Sequence, residues 1–407
     1  MKKPELLAPA GDLEKLKIAL LYGADAVFIG GKQFSLRARA SNFDLNVIAE
    51  GCQFAKTLGK KVYVTVNILP KEEDLTGLIT YLQALEQAGV DAIIVASTAV
   101  LRAARNHTTL EVHLSTQQSV TNGMGVEFWA QAGYTRVVLA RELTGTEIAQ
   151  VRAETATELE VFIHGGMCVS YSGKCTLSNT MTDRDANRGG CAHACRWEYR
   201  LRENTDAIGP ENIPFAMSAK DLQSLKHIET LMRIGVDALK IEGRMKSIHY
   251  IATVVSTYRQ LIDALAQGSH VELERFELEL SKAENRLTSD GFLGGMTRSE
   301  SQLYNMRSEH PTQAFAGIVR AYDSTNQLAH VEQRNFFKTG DSLEVLTPKG
   351  VKTAFVVGEM FDEEGLKVTA ARHPKQQLTF AVPYPLEPYD LLRHTNGADS
   401  VVTKTKT

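Results

Sequence analysis

One stretch of the sequence decides the fold class, because it joins two apolar runs through a helical pattern. It begins with Lys61-Val-Tyr-Val-Thr-Val66, continues through the amphipathic pattern at 75–88, and ends with Gly89-Val-Asp-Ala-Ile-Ile-Val95. Both runs are almost continuously apolar, which is typical of strands in a parallel sheet that is covered on both faces. Gly89 stands where a left-handed residue ends a helix, and the next run starts directly after it. The stretch therefore predicts a β–α–β unit.

The same unit recurs through about the first 250 residues. Each apolar run is followed by an amphipathic pattern and by a stop that carries glycine, such as Tyr22-Gly-Ala-Asp25. Eight units predict a TIM-type (β/α)8 barrel, and a doubly wound open sheet is the alternative. No Gly-x-Gly-x-x-Gly follows the first run, so nothing indicates a dinucleotide site. The predicted strands are Glu5–Ala8, Asp25–Gly30, Lys61–Asn67, Asp91–Ala96, Glu111–Ser115, Arg136–Ala140, Glu160–His164 and Asp237–Glu242.

The composition is that of a soluble globular protein. Of the 407 residues, 43% are hydrophobic and 23% are charged, and the formal net charge is -3. This charge argues against a surface that is positive throughout, but it allows a local basic patch for nucleic acid. The N-terminal residues lack the pattern of a signal peptide, and no apolar run reaches the roughly 18 residues of a membrane span. We therefore expect a cytoplasmic protein without membrane contact.

The apolar pattern changes along the chain and predicts four segments. Residues 1–270 are expected to form the barrel, including a cysteine-rich loop at 165–215. Because this loop is unusually long and follows a barrel strand, we expect it to project over the barrel mouth, where active sites of such barrels lie. Residues 271–310 are expected to form a helical linker. Short alternating runs predict a small all-β barrel at 311–396, followed by a disordered tail at 397–407.

Four of the five cysteines lie in that loop, with the spacing Cys-x6-Cys-x15-Cys-x3-Cys. Because the cytosol keeps thiols reduced, such a cluster indicates metal binding or catalysis. Four thiolates can hold a zinc ion or an iron–sulfur cluster, and the lack of Cys-x2-Cys knuckles favours a [4Fe–4S] cluster over zinc. Unliganded thiols are the third alternative. The fifth cysteine, Cys52, lies within a helical apolar pattern and is therefore expected in the core. The clustered residues are Cys168, Cys175, Cys191 and Cys195.

The sequence around the first two of these cysteines resembles the signature of the peptidase U32 family. It runs Glu160-Val-Phe-Ile-His-Gly-Gly-Met-Cys-Val-Ser-Tyr-Ser-Gly-Lys-Cys-Thr-Leu-Ser178. Gly166 stands where the family usually has serine or alanine, a change between small residues. The resemblance spans the barrel and, more weakly, the C-terminal β domain. Four further segments carry it: Leu7-Ala-Pro-Ala-Gly11, Tyr22-Gly-Ala-Asp25, Ser218-Ala-Lys-Asp-Leu222 and Lys240-Ile-Glu-Gly-Arg-Met-Lys246.

The resemblance implies more than one activity. The family was named for collagenase-like proteases, but several members look like oxygen-independent hydroxylases with a [4Fe–4S] cluster on four cysteines. One barrel with one small β domain is most similar to the branch that forms 5-hydroxyuridine at the wobble position of tRNA, for which prephenate is implicated. The resemblance thus implies tRNA and a small acid such as prephenate as partners. It also implies that the cluster ligands are Cys168, Cys175, Cys191 and Cys195.

A U32-type peptidase is the main alternative function, and a non-catalytic cluster protein that scaffolds another enzyme is a second. Hydrolysis needs an activated nucleophile, or a metal with an open coordination position. The chain contains neither a Gly-x-Ser-x-Gly elbow nor a His-Glu-x-x-His helix. A thiolate that binds a metal is also not available as a nucleophile. These absences favour a hydroxylase over a peptidase.

Polar side chains directly after the predicted barrel strands are the candidate catalytic residues, because that end of a TIM barrel carries the chemistry. Lys240 and Glu242 alternate in the eighth strand, so both are expected to point into the barrel. Such a pair would either orient a small acid, or its two charges would neutralise each other. The catalytic candidates are His164, Arg141, Glu142, Lys240, Glu242 and Arg244, and further polar residues at strand ends are Asn67, Ser115, Thr116 and Gln117.

Basic and aromatic residues in and near the cysteine loop are the candidate RNA contacts. Aromatic faces next to basic side chains suit the splayed bases of an RNA loop. The alternative is a solvated loop in which the arginines pair with Asp183, Asp185 and Glu198. The small β domain is expected to be a second RNA contact or a contact with a protein partner or another copy of the chain. The candidate RNA contacts are Arg37, Arg39, Arg184, Arg188, Arg196 and Trp197.

Overall fold

The computed structural model describes residues 1–35, 42–200, 202–203, 206–207, 214–283, 286–297, 299–303 and 314–395. Its first domain is a barrel of eight parallel strands, as the repeated β–α units predict. The strands are β1 (Glu5–Pro9), β2 (Ala26–Gly30), β3 (Lys61–Val66), β4 (Ala92–Val95), β5 (Glu111–Leu114), β6 (Arg136–Val138), β7 (Glu158–Gly165) and β8 (Ala238–Ile241). Strand β8 pairs with β1 on one side and with β7 on the other, which closes the barrel.

Helices follow the strands and cover the outside of the barrel. The outward side chains of the strands, among them Leu6, Ile29 and Val64, are fully buried in one core with the apolar faces of these helices. In the part of the chain that is described, no helix is long and apolar enough to cross a membrane. The covering helices are α1 (Leu13–Leu21), α2 (Leu45–Thr57), α3 (Leu78–Gln87), α4 (Thr98–His107), α5 (Gly123–Ala132), α6 (Gly145–Glu154), α8 (Ile228–Ile234) and α9 (Ile248–Ala266). Helix α7 (Leu177–Thr182) lies in the cysteine loop, and α10 (Leu273–Ser281) follows α9.

The helix ends follow the glycine stops that the sequence shows. Gly133 and Gly235 end α5 and α8 with φ angles of 114° and 83°, the left-handed conformation in which a side chain would be strained. At the start of α6, Thr144 and Glu147 form a capping box that satisfies backbone N–H groups of the first turn. These local signals set where each helix begins and ends.

The connection after β7 ends differently from the prediction. The sequence pattern indicates a helix over Leu222–Ile234, but Asp221–Gln223 form a short strand antiparallel to the end of β7. Helix α8 begins only at Ile228. The chain stays extended because Ser224 N donates to the carbonyl of Ile163 (3.0 Å), a bond between segments far apart in sequence. A tertiary contact therefore overrides the local helical pattern.

The second domain is an eight-stranded antiparallel sheet, in agreement with the all-β prediction for this region. Its strands are β9 (Phe315–Asp323), β10 (Leu328–Gln333), β11 (Ser342–Thr347), β12 (Gly350–Val356), β13 (Met360–Asp362), β14 (Lys367–Val368), β15 (Gln377–Ala381) and β16 (Leu391–His394). They lie in the order β12, β11, β16, β9, β10, β15, β13, β14. Val331 and Phe380 of the sheet form a separate apolar core together with Phe337, which lies between β10 and β11.

The sheet is fixed to helix α1 at both ends of that helix. At its C-terminal end, the Tyr22 hydroxyl shares its one hydrogen between the carbonyls of Leu346 (2.8 Å) and Tyr389 (3.0 Å). In its first turn, the Glu14 carboxylate pairs with Arg334 of the sheet (2.9 Å). Because helix starts in this fold lie at the mouth and helix ends lie at the opposite side, the sheet extends along the barrel from one end to the other.

Asp390, next to the Tyr22 contact, gives a pH-dependent prediction. It is buried, and burial raises the pKa of its carboxyl to about 6. The folded protein therefore favours the protonated form of this carboxyl. The resulting stabilisation is fully present below the unfolded-state pKa near 3.9 and is lost as the pH rises through about 6. We expect acidification from pH 7.5 to 5 to stabilise the wild type relative to Asp390→Asn by about 1 kcal/mol, after allowing for solvent screening. Urea unfolding of both proteins at the two pH values measures this difference, and identical pH dependence would contradict it.

Candidate active site

The barrel mouth contains a cavity of about 90 Å³. Its wall combines cationic, acidic and neutral polar groups with aromatic rings, and a space of this size fits a small polar ligand or the reactive part of a larger one. Four of the six predicted catalytic residues lie in the wall: Arg141, Lys240, Glu242 and Arg244. Other wall residues include Phe28, Thr65, Asn67, Ser115, Thr116, Gln117 and Phe162.

Gln117 is part of the cavity wall. Its Oε1 accepts hydrogen bonds from Asn67 Nδ2 (2.8 Å) and Ser115 Oγ (3.0 Å), so the oxygen is held away from any ligand. Its Nε2 is buried and has no hydrogen-bond partner among the described residues. A buried donor without a partner costs stability, and an acceptor on a bound ligand would satisfy it. The sequence placed Gln117 at a strand end but gave no sign of this orientation.

Arg141 brings a positive charge to the cavity. Its guanidinium stacks on the Phe162 ring at 4.0 Å, and its Nη1 donates to the Gly166 carbonyl (2.7 Å). Its Nε is buried without a hydrogen-bond partner in the described parts of the chain. Because a carbonyl and a ring do not neutralise a charge as a carboxylate does, Arg141 favours an anionic group in the cavity.

Arg244 is held more tightly, from the opposite side of the mouth. Its Nη1 donates to Thr65 Oγ1 (3.0 Å) and Ser35 Oγ (3.3 Å). Gly30 leaves room for this guanidinium, since a Cβ on residue 30 would lie 2.3 Å from Nη1 of Arg244. The bond network fixes the orientation of the guanidinium at the wall.

Lys240 does not pair with Glu242 as the period-two pattern suggested. Its Nζ binds Glu160 Oε1 on the neighbouring strand β7 (2.7 Å), and Glu160 also lies 3.4 Å from Arg136 Nη1. Burial alone would raise the pKa of Glu160, but the charges of Lys240 and Arg136 hold that pKa below its usual range. Glu160 is fully buried, so the barrel interior beneath the cavity contains a neutralised ion pair.

His164, a predicted catalytic residue, faces away from the cavity. An irregularity in the pairing of β7 with β8 places Phe162 opposite Lys240 but His164 opposite Ile241. His164 Nδ1 lies 3.3 Å from the Tyr258 hydroxyl of α9. Burial lowers the pKa of His164 to about 4, so its ring is neutral near pH 7. The structure therefore places His164 between the barrel and its outer helices.

The cysteine loop is anchored to the rim of the cavity. Glu142, another predicted catalytic residue, lies outside the cavity wall and accepts a hydrogen bond from Ser172 N (3.0 Å). The next residue, Gly173, has φ +74°, and a Cβ there would lie 2.3 Å from the Gln117 carbonyl oxygen. Only glycine fits this close approach. The segment between Cys168 and Cys175 therefore sits directly against the mouth residues.

The four loop cysteines have free thiols. Burial raises the pKa of Cys195, and the thiolate charges of the other three cysteines raise it further. The other three cysteines therefore lie within electrostatic reach of Cys195. Within the described residues, no group of three or more His, Cys, Asp or Glu side chains is arranged to hold a single metal ion. The donor set consists of thiols, which suits iron–sulfur clusters and zinc.

The structure separates the candidate RNA contacts. Arg188 makes a two-oxygen pair with Asp74 (2.7 and 2.9 Å), rather than with the acidic residues of its own loop. Arg196 is only partly exposed, and burial lowers the pKa of its guanidinium. Trp197 is 42% exposed and Arg184 is partly exposed, so both are accessible to a ligand. The other two candidates, Arg37 and Arg39, lie outside the described residues.

Comparison with protein families covers both domains. The model of peptidase family U32 matches residues 11–303, and that of the peptidase family U32 C-terminal domain matches residues 311–393. The chain belongs to the U32 peptidase family.

Relatives within the U32 family carry different names. The chain is 47% identical to tRNA hydroxylation protein P1 of Bacillus subtilis, over 96% of this chain and 95% of that protein.

Two further relatives show the range of these names. The tRNA hydroxylation protein P of Escherichia coli is 34% identical over 95% of both chains. A collagenase of Porphyromonas gingivalis is also 34% identical, over 73% of this chain and 75% of that protein. Membership of the U32 family alone therefore does not decide between RNA modification and proteolysis.

Proposed function

We propose that this chain is an RNA-modifying enzyme that hydroxylates tRNA, forming 5-hydroxyuridine at the wobble position without molecular oxygen. The observation that carries the proposal is the similarity to tRNA hydroxylation protein P1, which extends over both domains of both chains. The mouth cavity, with a cysteine loop fixed to its rim through Ser172 and Gly173, provides a site in which a redox group would lie next to bound substrate.

Cys168, Cys175, Cys191 and Cys195 are proposed to hold a [4Fe–4S] cluster. The thiol donor set supports this choice, as does the position of the other three cysteines within electrostatic reach of Cys195. When bound, a cluster with four cysteine ligands supplies electron transfer or structural support, because none of its irons has an open position. Zinc in the same thiols is the alternative.

The cavity is proposed to bind a small acid such as prephenate. Lys240 is neutralised by Glu160, whereas Arg141 binds only a carbonyl and an aromatic ring in the described structure. The guanidinium of Arg141 would bind a carboxylate, and the Gln117 amide nitrogen would donate to an oxygen of the same ligand. These two residues would orient the acid, while the Phe28 and Phe162 rings exclude water from its apolar part.

Nucleoside analysis tests the proposed activity. The protein, purified and assayed without oxygen, is incubated with tRNA, prephenate and a reductant, and the digested tRNA is examined by mass spectrometry. We expect hydroxylated uridine with the wild type, and at least tenfold less with Arg141→Gln, because a charge-assisted bond to the acid is lost. Absence of hydroxylated uridine with metal-replete wild type would contradict the proposal.

A second variant tests whether Gln117 contacts the bound acid. Glu at position 117 keeps acceptors for Asn67 and Ser115 but replaces the amide donor by a negative charge. We therefore expect Gln117→Glu to raise the KM for the acid by at least tenfold, because its carboxylate repels the acid. The melting temperature should fall as well, since a buried charge without a partner costs stability. Gln83→Glu, on the exposed face of α3, is the matched control. An unchanged KM in Gln117→Glu would show that Gln117 does not contact the acid.

Proteolysis is the second candidate function, since a relative is named a collagenase. A cysteine peptidase needs a thiol beside an imidazole base. His164 lies four residues before Cys168 in the sequence, but its ring contacts Tyr258 behind the barrel wall instead. Incubation with gelatin and casein tests this candidate. Cleavage that is lost in Cys168→Ala but retained in Cys52→Ala would favour the peptidase over the hydroxylase.

A further inference from the structure

The C-terminal domain carries an exposed aromatic residue with basic side chains beside it. Phe336 is 50% exposed, the Arg372 guanidinium lies 5.7 Å from its ring, and His394 Nε2 lies 3.2 Å from its carbonyl oxygen. The loop that contains Lys375 joins the same surface, because Lys375 N donates to Gln333 O (3.1 Å). We call this surface the Phe336 platform. It consists of Phe336, Arg372, His373, Lys375 and His394.

The charges of the platform are not neutralised by carboxylates. Neither Arg372 nor Lys375 takes part in an ion pair in the part of the chain that the structure describes, and both are exposed. Arg320 and Arg334, in contrast, share the carboxylate of Glu332. The platform therefore offers a positive field next to an accessible aromatic face, which is the combination that binds unpaired nucleotides.

The platform lies toward the mouth end of the molecule. Glu14, in the first turn after β1, binds Arg334, which precedes Phe336 by two residues. His249, in the first turn after β8, stacks on Phe315 at the start of the sheet, with ring centroids 5.4 Å apart. Both helix starts follow the C-terminal ends of barrel strands and mark the side of the cavity. A large ligand with one nucleotide at the mouth would extend past this end of the sheet.

We propose that the Phe336 platform is a second tRNA-binding surface, which contacts the tRNA away from the nucleotide that is modified. A nucleobase stacks on Phe336 with the Arg372 guanidinium beside it, and Lys375 contacts backbone phosphate. This inference rests on the proposed function, since it takes tRNA as the substrate. It assigns the C-terminal domain the task of selecting whole tRNA over short RNA.

The test compares two RNAs with the full-length protein. Fluorescence anisotropy measures the binding of whole tRNA, and of the isolated stem-loop that contains the modified uridine, over a range of salt concentrations. We expect Phe336→Ala/Arg372→Ala to weaken the binding of whole tRNA about tenfold, as the loss of one base stack predicts, and to leave the stem-loop affinity unchanged. Lys375→Ala is expected to reduce the salt slope for whole tRNA by about 1.

The control is Leu366→Ala/Lys367→Ala, which removes an exposed apolar residue and a cation elsewhere on the same sheet. It should bind both RNAs like the wild type. If the platform variant binds whole tRNA as well as the wild type does, the platform proposal is wrong while the proposed function stands. If the wild type binds neither RNA and modifies neither, both proposals fail.

Discussion

Replacing Cys191 and Cys195 together by alanine is expected to abolish the binding of iron and sulfide. Protein purified without oxygen should contain about four irons and four acid-labile sulfides per chain, and the double variant almost none. The physical reason is that two thiolates, Cys168 and Cys175, cannot hold the four corners of a cubane. Colorimetric iron and sulfide analysis, with the visible absorption of the cluster, measures this loss independently of catalysis.

Cys52→Ala is the matched control for this experiment. Cys52 is buried in α2, and burial raises the pKa of its thiol to about 12, so it remains a neutral core group. Its replacement should leave the iron and sulfide content unchanged. One zinc per chain with no iron in the wild type would overturn the cluster proposal and direct attention to zinc chemistry.

The barrel was predictable because its signals are local and repeated. Each apolar run and each glycine stop, such as Gly89 and Gly235, lies within one β–α unit, so no distant contact is needed to recognise it.

The C-terminal sheet was harder to predict from the sequence. Its strands β13 and β15 pair with each other, and β15 also pairs with β10, about 45 residues earlier in the chain. Short strands of this kind are stabilised by cross-strand packing, so the sequence patterning missed both.

The candidate site shows the same limit at the level of single residues. The position of Arg141 and Lys240 at the mouth follows from their places at strand ends, which the sequence reveals. The partner of Lys240 does not, because Glu160 belongs to another strand and is 80 residues away. The orientation of His164 depends on an irregular pairing of β7 with β8, for which no residue pattern is diagnostic. The structure was therefore needed to show where these side chains point and which partners they bind.

Glu160→Met is expected to cost about 3–5 kcal/mol of unfolding free energy, the largest effect on stability among these predictions. The variant leaves the Lys240 ammonium buried near the rings of Phe28 and Phe162 and removes the carboxylate with which it pairs in the described structure. Arg136 is less affected, because it keeps Glu5 (2.6 Å) as a partner. Urea unfolding, followed by tryptophan fluorescence, measures the loss. As control, Glu158→Gln removes a carboxylate that is 52% exposed and also binds Arg136, and should cost less than about 1 kcal/mol.

The double variant Glu160→Met/Lys240→Met separates the two tasks of this ion pair. If Lys240 serves only to neutralise Glu160, the double variant should regain most of the lost stability, because apolar side chains of similar volume replace both charges, and should retain hydroxylation activity. If Lys240 also contacts the bound acid, stability should return while activity does not. A double variant as unstable as Glu160→Met would contradict the coupling of the two charges. Stability and activity together thus distinguish a structural charge pair from a ligand-binding lysine at the same position.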